Sequence, residues 1–144
     1  MRAEPEAEAA ERKTKKVRVA VSIIIPVALL HFVTGPAYKG PYPEFVNGYL
    51  LDILIPFAFY FLLCSQDVTT PFLRPWITKA LPVFAVGCLV EASQAFGVPI
   101  LGETFDPLDL VMYAVGVLAA AGLDTLLCPR VFSFWLPRDA PLAE

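Results

Sequence analysis

The stretch EASQAFGVPILGETFDPLDLVMYAVG, residues 91–116, holds Glu91, Gln94, Glu103, Asp106 and Asp109 in a chain that is otherwise strongly apolar. Carboxylates flanking apolar runs are costly when hydrocarbon surrounds them, so they need a partner, water or a proton. Several chemistries suit such a group. Paired acids with separated proton affinities serve general acid–base catalysis. Carboxylates also hold hard cations, and they accept hydrogen bonds from a polar headgroup. A plainer reading competes at two positions. Asp106-Pro107 is a strong helix start, with Asp as N-cap and Pro at the first helical position. Asp109 then stands at the third position, where an acid suits the helix dipole. Capping and site roles are compatible.

The elements that position these residues follow from composition. The chain has 144 residues, 57% hydrophobic and 17% charged, a length that suits one domain. A soluble domain this apolar would expose large patches. The apolar residues instead fall into four blocks, 17–33, 49–64, 77–96 and 108–128, the pattern of an all-α polytopic membrane protein. Pro26, Pro56 and Pro82 lie inside blocks one to three and are expected to bend them. Block one is short, with Arg18 expected to snorkel at its end. Its basic flank resembles a secretory signal peptide, but Pro36 makes TGPAY a poor cleavage site, so an uncleaved first helix is expected. Residues 1–16 read as a charged, solvated tail in which Glu8/Arg12 and Glu11/Lys15 are spaced to pair on a helix. Residues 34–48, with three prolines and three glycines, read as a loop. Residues 129–144 read as an interfacial tail carrying Phe132, Phe134 and Trp135. Cys64, Cys88 and Cys128 have no CxxC spacing and read as small apolar fillers rather than disulfide or metal ligands.

Four spans place both termini on one side. Ten of the eleven Lys/Arg then share that side and only Lys39 faces the other, which puts both termini in the cytoplasm. Tyr38, Tyr42 and Tyr49 would form an outer aromatic belt, and Trp76 and Trp135 an inner one. His31, Asp52, Glu91, Gln94, Asp106 and Asp109 then all lie in the outer half, where they are expected to line one ligand-binding cavity. Asp124 alone lies toward the inner end of a span. Glu91 sits about 7–8 Å below Phe96 at 1.5 Å per residue, deep enough that its charge needs an explanation. Helical spacing adds two stripes, Gly87/Glu91/Gln94 and Asp109/Tyr113/Gly116/Ala120. Small residues below an acid let another helix approach, so both stripes are expected to face protein.

The Glu91-x-x-Gln94 helix end, short loop, Asp106-x-x-Asp109 helix start and trailing Gly116 resemble the signature of VanZ-like proteins, over about 26 of the 144 residues. The resemblance implies a small, multi-helix bacterial membrane protein. It also implies a link to reduced susceptibility to the lipoglycopeptide teicoplanin, with which the family's namesake is associated. Two positions depart from the pattern: Glu103 replaces a loop Arg, and Tyr113 replaces an Asn four residues after the second Asp.

Three functional classes fit. The first is a binding or accessory protein whose outer acidic cavity engages a lipid headgroup, an envelope precursor or a lipophilic glycopeptide. The second is a structural subunit of a larger membrane complex. The third is an intramembrane enzyme with Glu91 or His31 as general base; HExxH, GxSxG and phosphate-loop motifs are all absent from the sequence. The sequence implies no cofactor and no metal site. Its basic cluster fits membrane topology and anionic-lipid attraction rather than nucleic acid.

Overall fold

A computed structural model describes residues 6–34, 38–98 and 105–136. Among them every regular element is helical. α1 spans Glu6–Val33, α2 Pro43–Gly48, α3 Leu50–Cys64, α4 Trp76–Ala95 and α5 Pro107–Gly122. A π turn, Leu123–Leu127, carries α5 into α6, Cys128–Val131. Helix α1 (28 residues), helix α4 (20 residues) and the continuous Pro107–Val131 segment (25 residues) are long and apolar enough to cross a membrane. Their outer surfaces suit hydrocarbon. Ile25, Leu29, Leu81, Val86, Leu89 and Leu118 are all exposed, a coat that would aggregate in water. The chain is a helical membrane protein.

The expected blocks match α1, α3, α4 and α5 to within a residue or two at most ends, with three differences. Residues 6–16 are not a separate tail. They are the first turns of α1, and Lys16 is 2% exposed against the body of the protein. The expected Glu11/Lys15 pair forms there at 2.7 Å. Trp135 likewise does not face outward: it is 2% exposed and packs on Phe61 and Phe132. A third, smaller difference is helix α2 within the segment read as loop. Cys64 and Cys128 are buried free thiols in the core, as expected for fillers.

Helix ends explain where the polar groups come to lie. α4 stops in a Schellman motif. Gly97 adopts φ 76°, its N–H donates to the Gln94 carbonyl at 2.9 Å, and the Val98 N–H donates to the Ser93 carbonyl at 2.9 Å. α5 starts at Asp106, whose Oδ1 accepts the Leu108 N–H at 2.9 Å. The π turn has a local cause. Pro129 has no N–H to give the Thr125 carbonyl and its ring crowds that group. The ladder therefore widens, and the Cys128 N–H reaches back five residues to the Leu123 carbonyl.

Contacts at opposite ends of the bundle fix the directions. Asp67 after α3, Lys79 at the start of α4 and Asp124 at the end of α5 meet at one end. Tyr49 before α3, Glu91 near the end of α4 and Asp106 at the start of α5 meet at the other. α3 and α5 therefore run parallel, with α4 antiparallel to both. They pack through small residues. A Cβ on Gly116 would overlap the Ile53 carbonyl and lie 3.1 Å from Pro56 Cγ. A Cβ on Gly87 would lie 2.5 Å from the Tyr113 ring. Both expected stripes do face protein.

Candidate functional site

At the acidic end, Glu91 is 1% exposed. Its Oε1 accepts the Tyr113 O–H at 3.1 Å and its Oε2 accepts the Asp106 backbone N–H at 3.3 Å. Asp106 is thus both cap and cluster member. Oδ1 caps α5, Oδ2 accepts the Tyr49 O–H at 3.3 Å, and its own N–H is spent on Glu91. The expected cap is therefore present, and the capping residue also belongs to the cluster. Asp52 on α3 and Asp109 on α5 are half-buried, and stand close enough for their charges to act on each other and on Glu91 and Asp106. Gln94 lies one turn beyond Glu91, half-buried, with its side-chain oxygen shut away from solvent.

The structure therefore brings Asp52, Glu91, Asp106 and Asp109 together, with Gln94 adjoining. It does not bring His31. That ring is exposed on α1, edge-on to its neighbour Phe32 at 5.9 Å, with no hydrogen bond or ion pair among the described residues. Glu103 lies outside the described residues. Two tyrosines join the cluster that the sequence reading had not placed in it as donors, Tyr49 and Tyr113. Spacing offered a signal for Tyr113, which falls on the Asp109 stripe facing Glu91. Among the described residues no group of three His, Cys, Asp or Glu side chains is arranged to hold a metal ion.

Glu91 anchors the turn into α5 as well as lining the cluster. Replacing it with Leu leaves the Tyr113 hydroxyl and the Asp106 N–H without an acceptor, at about 1–3 kcal/mol for each unsatisfied buried group. Glu91→Gln keeps one acceptor oxygen. Glu91→Leu is expected to lower the unfolding midpoint in detergent clearly more than Glu91→Gln; equal midpoints would mean that the two bonds do not form.

The opposite end holds a second polar cluster that sequence reasoning missed. Lys16 Nζ donates to both oxygens of Asp67, at 2.7 and 2.8 Å. Lys79 Nζ pairs with Asp124 at 2.7 Å and lies 3.7 Å from Asp67. Asp124 also accepts the Tyr60 O–H at 2.8 Å and the Trp135 Nε1–H at 2.8 Å. Lys16 stands 4.7 Å from the centre of the Trp135 ring. All four charged residues are buried. Two lysines and two aspartates sum to zero, which is what a buried charge cluster requires. Lys79 and Asp124, opposite charges each inside an apolar block, were the available signal. Lys79 had been read only as a topological charge. The cluster ties α1, the α3–α4 connection, α4, α5 and the chain after α6 into one body.

The two ends define a class: a small helical membrane protein with a neutral, fully paired cluster at one end and an acidic cluster at the other. Comparison of the chain with protein-family models, curated proteins and solved structures gives no match to any of them.

Proposed function

We propose that the chain is a four-span bacterial plasma-membrane protein of the VanZ-like type, with both termini cytoplasmic, that binds the headgroup of an envelope amphiphile at its acidic end. The occupant is a lipid, an envelope precursor or a lipophilic glycopeptide whose headgroup carries amines or hydroxyls. One observation carries the reading. Carboxylates from α3, α4 and the start of α5 converge at one end, and none of the four pairs with a Lys or Arg among the described residues. The buried lysines of the other end are fully paired. A charge imbalance of this kind, at a depth where acids are costly, favours a donor-rich ligand. Glu91 and Asp106 are spent largely on the fold, so Asp52 and Asp109 are the ligand-facing groups, with Gln94 adjoining them.

Helix α3 supports the fourth crossing although it is only fifteen residues long. It is flanked by one polar cluster at Tyr49 and Asp52 and by the other at Asp67, the same two layers that α4 and α5 connect. Fifteen residues rise about 22 Å, a span that local bilayer thinning accommodates. The departures from the VanZ-like signature fit a more acidic site: among the described residues no Arg partners the acids, and Tyr113 supplies a neutral donor to Glu91 where that signature has Asn.

The test uses the full chain in nanodiscs of phosphatidylethanolamine and phosphatidylglycerol. Fluorescent teicoplanin, a lipid-linked peptidoglycan precursor and an aminolipid are the probes. At least one is expected to bind, and Asp52→Asn combined with Asp109→Asn to weaken it about tenfold, or 1.4 kcal/mol. Binding of none, or binding indifferent to the double substitution, rejects the site. Reporter fusions at the two termini are expected on the same, cytoplasmic side.

A further inference from the structure

A shallow, open depression of about 200 Å³ lies on the outer surface of α4 and α5 near the paired end, a groove lined by Trp76, Leu118, Ala121, Gly122 and Thr125. It is smaller than the ~300–1,000 Å³ clefts that take compact drug-sized ligands, and a flexible chain segment suits it better. Gly122 marks it as space left for something other than this protein. Gly116, two turns earlier on the same helix, is small because the α3 backbone presses on it, whereas a Cβ on Gly122 would meet nothing within 4 Å.

Charge says what that something is. Two lysines of this end, Lys16 and Lys79, are buried and neutralised by Asp67 and Asp124, and Lys15 on α1 pairs with Glu11. What this end of α4 and α5 exposes is Arg74, two residues before Trp76, and Arg130, five residues after Thr125. Neither arginine forms an ion pair among the described residues. From residue 65 to 90 and from 110 to 136 the only carboxylates are the two buried ones. A half-exposed indole at the groove mouth suits the headgroup level of a bilayer.

We propose that this groove seats one acyl chain of an anionic phospholipid whose phosphate engages Arg74 and Arg130. The groove supplies chain selectivity over the general lipid annulus, and the two arginines supply headgroup selectivity. The site is independent of the acidic end and stands whether or not that end binds a ligand.

Native mass spectrometry of the full chain, equilibrated with phosphatidylglycerol or phosphatidylcholine of identical chains, tests it. The protein is expected to retain phosphatidylglycerol with about a tenfold preference. Arg74→Gln with Arg130→Gln should equalise the two lipids. Gly122→Leu and Thr125→Leu, which fill the groove, should reduce retention of phosphatidylglycerol to the level of phosphatidylcholine, with the melting temperature confirming the fold of each variant. Asp52→Asn with Asp109→Asn should leave retention unchanged. Equal retention of the two lipids by the unmodified chain overturns the proposal. So does undiminished selectivity after the double arginine change, and so does full retention by a folded groove-filled variant.

Discussion

Lys79→Met is expected to destabilise the protein by about 3–5 kcal/mol, the usual cost of removing one partner from a buried ion pair. The magnitude follows from what is left behind. Asp124 keeps its Tyr60 and Trp135 donors but loses its only cation at 2.7 Å. Asp67 keeps Lys16 and loses its more distant neighbour at 3.7 Å. A net negative charge is then stranded in a buried site. Adding Asp124→Asn to Lys79→Met removes that charge while leaving an oxygen to accept from Tyr60 or Trp135. The double variant is therefore expected to recover much of the loss, and the interaction energy of a double-mutant cycle should exceed about 1 kcal/mol. Reversible unfolding in mixed micelles measures all four corners. If the two losses simply add, Lys79 and Asp124 are not paired in the folded protein, and the bundle end is arranged differently.

This cluster also shows why part of the architecture escaped the sequence. Apolar periodicity is a local signal, and it located the helices well: block 77–96 is α4, Trp76–Ala95, and block 108–128 falls on α5 and the turn that follows. Caps are local too. Asp106-Pro107 announced the start of α5, and the cap hydrogen bond is there. Pairing between Lys16, Asp67, Lys79 and Asp124 joins residues up to 51 positions apart, and no periodicity encodes it. The same limitation explains Trp135. A tryptophan after the last apolar block reads as an interfacial anchor, and only the position of Asp124 in the folded chain supplies the buried acceptor that draws its indole inward. At the acidic end, the topological argument gathered Asp52, Glu91, Asp106 and Asp109 from depth alone. It had no information on helix azimuth for α1, whose exposed face carries His31 away from the cluster.

Gly116→Ala is expected to lower stability by about 1–3 kcal/mol, whereas Gly122→Ala on the same helix should be neutral or stabilising by up to about 1 kcal/mol. The intrinsic helix preference is the same in both cases and favours alanine. Only the neighbours differ. At Gly116 the new methyl would overlap the Ile53 carbonyl, and backbone cannot yield as a flexible side chain does. The contact sits one turn before Pro56, which has no N–H to give the Asp52 carbonyl. To admit the methyl, α5 must move off α3. Tyr113 and Asp109 lie one and two turns above Gly116, so the movement also separates them from Asp52. Under the headgroup-binding proposal, the substitution should therefore weaken probe binding together with stability, while Gly122→Ala leaves both intact. Unfolding midpoints, and titrations with whichever of the three probes binds the unmodified chain, read both effects. If Gly116→Ala proves as stable as Gly122→Ala, α3 and α5 do not meet at Ile53. Nothing would then hold Asp52 and Asp109 beside each other.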